Sequence, residues 1–184
     1  MQEKNKNITI TKKLVGVALF SALAFVVSYL EFPIFPAAGF LKLDFSAVFI
    51  TLSGFIYGPV YGVCACAVKE LLCFLLKSST GGVGEIANFL VTCGFILVPT
   101  IVYRFKKGFP IVIITLIIGC FIQTGLALLA NRFIMFPLYM GAGAAPAFKS
   151  LWYFVLFFNL IKTVAVSIVT ILLYKRISWL IKKF

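Results

Sequence analysis

Long apolar stretches, interrupted by short polar and basic segments, dominate the pattern of this chain. About 20 apolar residues suffice to cross the hydrocarbon core of a bilayer as an α-helix, and backbone amides in that core must bond internally because no water reaches them. The pattern therefore predicts an all-α, polytopic membrane protein in which residues 1–184 form a single domain. About six spans are predicted, namely Leu14–Leu30, Phe45–Tyr57, Tyr61–Leu76, Glu85–Tyr103, Ile111–Phe136 and Leu151–Tyr174.

The second predicted span is shorter than the others. A helix rises about 1.5 Å per residue, so Phe45–Tyr57 cannot cross about 30 Å of hydrocarbon unaided. We expect it to be tilted, extended by flanking residues, or partial.

Basic residues indicate the orientation in the membrane. The chain has 17 Lys and Arg against five Asp and Glu, and cytoplasmic segments of membrane proteins are enriched in basic residues. With an even number of spans, both termini are predicted to lie in the cytoplasm. The net charge of +12 then reflects topology and gives no indication of nucleic-acid binding. The clusters assigned to the cytoplasm are Lys4, Lys6, Lys12 and Lys13; Arg104, Lys106 and Lys107; and Lys175, Arg176, Lys182 and Lys183.

The inventory of reactive side chains argues against an enzyme. There is no histidine, which excludes histidine-dependent triads and histidine-ligated metals. The five cysteines fall within predicted spans, and we expect small, buried, inert thiols. The Gly-rich string KSSTGGVGEIANF lacks the order of a phosphate-binding loop. No cofactor is expected, and any energy must come from another polypeptide or an ion gradient.

Polar groups at membrane depth carry the functional signal, because ionisable residues there are costly and usually face a cavity or a partner. Lys162 lies about eleven residues into the last span, and Asn159 is one turn earlier on the same face. We predict that these polar side chains converge on one cavity in the outer half of the membrane. The alternative is that each holds helices together or, as is possible for Arg132, reaches the membrane interface. The other candidates are Asn131 and Arg132, Lys42 and Asp44, and Glu85 and Asn88.

Lys69 and Glu70 lie in the middle of the third span. Neighbours on a helix project about 100° apart, so we expect that they do not simply pair with each other. Separate partners in a structural ion network are the favoured interpretation, and a tilt that brings one of them to the cavity is the alternative.

Six strings occur in one order along the chain: FLKLDFS, GFIYGPVYG, VKELL, TGGVGEIANF, NRFIMFPLY and FNLIK. This order resembles the riboflavin-specific substrate-binding subunits, or S components, of energy-coupling-factor (ECF) transporters, and the likeness covers nearly the whole chain. The resemblance implies six helices in the bacterial cell membrane, with both termini in the cytoplasm. It also implies a subunit that binds riboflavin from outside, while a transmembrane coupling subunit and two separate ATPases drive uptake.

The riboflavin ring has an imide edge that a side-chain amide can complement, which suits Asn131 and Asn159. Its ribityl hydroxyls suit Asp44 and Lys162. The substrate-binding residues expected from the resemblance are Asn131, Asn159, Lys162, Asp44, Leu41, Leu43, Glu85 and Asn88.

The resemblance also implies an interface with the coupling subunit on the first helix. Family members carry an A-x-x-x-A motif there, which Ala18 and Ala22 match, and Gly16 is expected to widen the same smooth patch. Small residues four apart allow close helix approach in lipid, but packing within the chain is an equal alternative.

Three other functions stay open. The chain could be an S component for another vitamin, such as folate or thiamine, although a buried Lys162 disfavours a cationic vitamin. A membrane-embedded lipid enzyme would need paired carboxylates or metal ligands at an interface. A stand-alone secondary transporter would be expected to show inverted repeats or broken midplane helices.

Overall fold

A computed structural model of the chain describes residues 2–78 and 81–181, with side chains described for 10–36, 38–78 and 81–177. Thr80, Lys182, Lys183 and the side chains of Lys4 and Lys6 lie outside these ranges. The helices are α1 Gln2–Ser28, α2 Ser46–Tyr57, α3 Pro59–Leu76, α4 Val83–Phe105, α5 Phe109–Ala130, α6 Phe136–Met140 and α7 Ala144–Ile181.

The predicted spans all fall on helical segments. Among the described residues, four stretches are long and apolar enough to cross a membrane, and the last of them, 109–177, runs from α5 through α7. Helix α2 has 12 residues, so it is short, as predicted. The count of six crossings stays a prediction.

The last helix is longer than predicted. It begins at Ala144 rather than Leu151 and continues past Tyr174, for 38 residues in total. At about 1.5 Å per residue this is about 57 Å, well beyond the thickness of a bilayer core. The small and polar residues at its start do not stop the helix; they only make it less apolar than a spanning segment.

The fifth predicted span ends in a π-helical turn rather than in a continuous α-helix. Residues Asn131–Met135 adopt a π-helical turn (the π segment) between α5 and α6. Pro137 follows in the first turn of α6, and its lack of an N–H removes an α-helical hydrogen bond. Asn131 is therefore the first residue of a wider turn, a feature often found at functional sites.

The segment between α1 and α2, which we call the first loop (residues 29–45), is folded onto the helices. Strand β1, Phe32–Pro33, pairs antiparallel with β2, Lys42–Leu43. Glu31 accepts hydrogen bonds from Lys42 at 2.8 Å and from Lys77, at the end of α3, at 2.7 Å. Burial alone would raise the pKa of Glu31, but the two lysines hold it below its usual range. The loop is thus tied to α3 by charge.

Helices α2 and α3 form a tight hairpin. Gly58 joins them with a φ of +107°, a conformation that residues with side chains rarely adopt. Farther along, a Cβ on Gly62 would lie 3.0 Å from the Cα of Gly54, so the two backbones are in close contact. This contact holds the first turn of α3 against the end of α2.

The core and the outer surface have different compositions. Phe55, Tyr103 and Tyr174 pack together in the core, and the two tyrosine hydroxyls are 2.9 Å apart. Large apolar side chains such as Phe121 and Leu172 are exposed, as expected of a surface that faces lipid. Cysteine burial was predicted wrongly at two positions: Cys64 is exposed and Cys93 only half-buried.

Candidate functional site

A buried ion pair joins the first loop to the last helix. The Lys162 ammonium donates to Oδ2 of Asp44 at 3.0 Å, and both side chains are buried. The other carboxylate oxygen accepts from the Ser46 backbone N–H at 2.8 Å and from its hydroxyl. Burial alone would raise the pKa of Asp44, but Lys162, Lys69 and Ser46 hold it below its usual range. The loop residue Asp44 is therefore ionised and held in a defined position.

A second buried pair lies in the middle of α3. Lys69 Nζ lies 2.8 Å from Oε1 of Glu70, and both side chains are buried. The expectation that these neighbours do not pair with each other was wrong. Although adjacent Cα–Cβ bonds diverge, the four methylenes of lysine are long enough to fold back toward the next residue. Lys69 is also close enough to lower the pKa of the Asp44 carboxyl, so the two pairs are electrostatically linked although Lys69 and Glu70 do not have separate partners.

The side-chain amides of the two predicted asparagines each donate a hydrogen bond to a backbone carbonyl four residues earlier. Asn131 Nδ2 donates to the Ala127 carbonyl at 2.8 Å, and Asn159 Nδ2 donates to the Val155 carbonyl at 2.9 Å. Each bond uses one of two N–H groups, and neither amide oxygen accepts a hydrogen bond from the residues that the structure describes. Each amide thus keeps one donor and one acceptor for a ligand.

Apolar side chains from the first loop border this polar group. Leu41 and Leu43 are buried in a cluster with Phe136, Val155 and Phe158, which places the loop beside the Asn159 turn of α7. The structure thus brings Leu41, Leu43, Asp44, Asn159 and Lys162 into one region, while their role in binding a substrate stays a prediction.

Glu85 and Asn88 occupy a neighbouring position. Both are half-buried in the first two turns of α4, and between them Ala87 packs against Ala127 and Ala130 of α5. They lie next to the helix that carries Asn131 rather than at the Asp44–Lys162 pair. Arg132 is exposed and lines a separate surface groove.

The A-x-x-x-A face of α1 is exposed. Ala18 and Ala22 both lie on the surface, so the alternative of packing within the described part of the chain is not supported. Gly16 does not widen this patch, contrary to expectation. It is buried against Tyr57, whose ring would overlap with a Cβ at that position.

No group of three or more Cys, His, Asp or Glu suited to a metal ion occurs in the described ranges. Sequence reasoning missed the contribution of Ser46, and the signal was available, because a serine two residues after an aspartate commonly donates to its carboxylate.

The chain was compared with known proteins. A family model for the ECF transporter, substrate-specific component, matches residues 12–174. The riboflavin transporter RibU of Staphylococcus aureus is 36% identical over 96% of each chain. The riboflavin transporter FmnP of Bacillus subtilis is 30% identical over 91% of this chain and 92% of its own.

A solved structure, described as the S component of a bacterial ECF transporter, superimposes with a TM-score of 0.81 at 36% identity. The superposition covers 94% of this chain and 98% of the solved chain. The resemblance seen in the sequence is thereby confirmed at the level of the family, and so is the prediction of a transporter subunit rather than an enzyme. This multi-pass membrane protein belongs to the substrate-specific components of ECF transporters.

Proposed function

We propose that this chain binds riboflavin and is the riboflavin-specific S component of an ECF transporter. The observation that carries the proposal is its similarity, over nearly the full length, to proteins named riboflavin transporters, with identities of 36, 30 and 26%. The residues at the candidate site fit this vitamin chemically.

The vitamin has two ends with different requirements. The imide edge of the ring presents one N–H between two carbonyls, and the amides of Asn131 and Asn159 each offer a donor and an acceptor. The ribityl hydroxyls can accept from the remaining N–H groups of Lys162 and donate to Asp44. Leu41 and Leu43 would cover the apolar ring. Glu85 and Asn88 would border the site from α4.

The first loop would close the pocket. It carries Leu41, Leu43 and Asp44, and Glu31 fastens it to Lys77 on α3. A pocket that is mostly apolar and has a few placed polar groups both excludes water and fixes orientation. In the predicted topology this end of the bundle faces outward.

Energy would come from other subunits. We propose that the exposed face around Ala18 and Ala22 contacts a transmembrane coupling subunit, which acts with two cytoplasmic ATPases. Small side chains let a partner helix approach closely, and close approach supplies the van der Waals contact that drives association in lipid.

The test is the absorption spectrum and ligand titration of the detergent-purified protein. We expect co-purified flavin and, after its removal, quenching of riboflavin fluorescence at about one ligand per chain, with no ATP hydrolysis. Thiamine and folate serve as comparison ligands. Saturable binding of either, without riboflavin binding, would replace this proposal with another vitamin specificity.

A further inference from the structure

A surface groove separate from the Asp44–Lys162 pair lies where α5, the π segment and α7 meet. Its volume is about 710 Å³. Apolar side chains form most of it, and two cations, Arg132 and Lys149, line it as well. Phe148 in its wall packs on Phe136, which also contacts the first loop, so the groove is at the loop end of the bundle.

Neither cation has a carboxylate partner among the described residues. Within the parts of the chain that the structure describes, the salt bridges involve other residues, and both Arg132 and Lys149 are exposed. The Arg132 guanidinium lies 5.6 Å from the Phe133 ring and 5.9 Å from the Phe148 ring. These contacts hold its charge over the groove, beside the helix turn that carries Lys149.

The surroundings of the groove are those of a membrane interface. Trp152 lines it, and Tyr153 follows with 42% of its surface exposed. Exposed Trp and Tyr are enriched at the level of lipid headgroups. Leu129 and Phe133, also in the lining, are more than half exposed and so continue the lipid-facing surface.

We infer that this groove binds one anionic phospholipid. Its phosphate lies between Arg132 and Lys149, and an acyl chain lies along Leu129 and Phe133. A zwitterionic lipid lacks the net negative charge that two unpaired cations attract, so the site discriminates by charge. The inference concerns this surface alone and does not depend on which vitamin the chain carries.

Native mass spectrometry tests it. The purified protein is mixed with equal amounts of phosphatidylglycerol and phosphatidylcholine in a neutral detergent. We expect one phosphatidylglycerol to be retained in preference. Each lost charge should lower its retention about fivefold, so R132Q/K149Q should lose most of it. R132K should retain the lipid, because it keeps the charge.

K42Q is the matched control. Lys42 is an exposed cation at the same end of the molecule, but it is bound to Glu31 and lies outside the groove. Equal retention of the two lipids would overturn the inference, and so would a loss in K42Q as large as in R132Q/K149Q. If the double variant fails to fold, K149Q alone decides between these outcomes.

A photoreactive residue identifies the occupant directly. Leu129→p-benzoylphenylalanine, reconstituted in vesicles of equal phosphatidylglycerol and phosphatidylcholine, should label phosphatidylglycerol in preference, and R132Q/K149Q should remove that preference. Labelling of a protein chain instead would mean that the groove is a protein contact, and the lipid assignment would be wrong.

Discussion

Lys162→Met tests the buried ion pair that holds the first loop on α7. At an Nζ–Oδ2 distance of 3.0 Å and an effective dielectric constant of about 20, the attraction is about 5–6 kcal/mol. Desolvation of both ions offsets much of this attraction. Removing one partner, however, leaves the other charge buried without compensation, at a cost of about 3–5 kcal/mol. Asp44 keeps its bonds from Ser46, so we expect a loss of about 3 kcal/mol.

Thermal unfolding in detergent, followed by circular dichroism, measures that loss. For a chain of this size, 3 kcal/mol corresponds to a midpoint lowered by roughly 6–12 °C. The double variant Asp44→Asn/Lys162→Met removes both charges, and we expect it to recover most of the stability of the parent. Lys107→Met, on an exposed lysine between α4 and α5, is the control and should not shift the midpoint.

Riboflavin titration separates stability from binding. Under the proposed function, both Lys162→Met and the double variant lose the contacts to the ribityl chain and bind weakly. If Lys162→Met unfolds at the temperature of the parent, the ion pair does not stabilise the fold, and this prediction is wrong. It is also refuted if the double variant is as unstable as the single one, since an uncompensated carboxylate would then not be the cause.

Three further outcomes are expected. Asn131→Ala and Asn159→Ala should each weaken riboflavin binding by about 1–3 kcal/mol in a fluorescence titration, because polar groups stay unpaired, while Cys64→Ala should bind like the parent. Ala18→Trp should leave riboflavin affinity unchanged yet prevent co-purification with the coupling subunit and abolish uptake; normal uptake would place the contact on another helix. Glu31→Gln should speed riboflavin release in stopped-flow measurements. Because the folded-state pKa of Glu31 is lowered, its stabilisation is present at neutral pH and above, and is lost as the pH falls through that pKa; release that does not quicken on acidification would contradict this.

The expectation that failed at Lys69 and Glu70 shows one limit of reasoning from helical periodicity. The angle between adjacent positions gives the directions of the Cα–Cβ bonds, but it does not give the positions of the charged atoms at the ends of long side chains. Burial supplies the reason for the pairing, because two charges in a low-dielectric interior have few other partners within reach. The sequence alone does not show that α3 turns this surface inward.

The end of α7 shows another limit. A hydropathy pattern detects only the most apolar part of a helix, so it predicts Leu151–Tyr174 and omits the small and basic residues at either end of α7. Likewise, the small and apolar residues at the end of α5 do not predict the π segment, because hydropathy does not distinguish an α-helical turn from the wider π turn.

The apolar and basic pattern determined on its own that the chain is helical and crosses the membrane several times, because lipid leaves the backbone no alternative to internal hydrogen bonds. The ordered strings likewise determined the family. Tertiary structure decided which polar groups meet. Asp44 and Lys162 are 118 positions apart, and only the folding of the first loop onto α7 brings them into contact. Tertiary structure also decided that Ala18 and Ala22 face outward while Gly16 is packed beneath the ring of Tyr57. A helix in lipid is apolar on nearly every side, so periodicity does not show which side faces the core, and packing against neighbouring helices makes that choice.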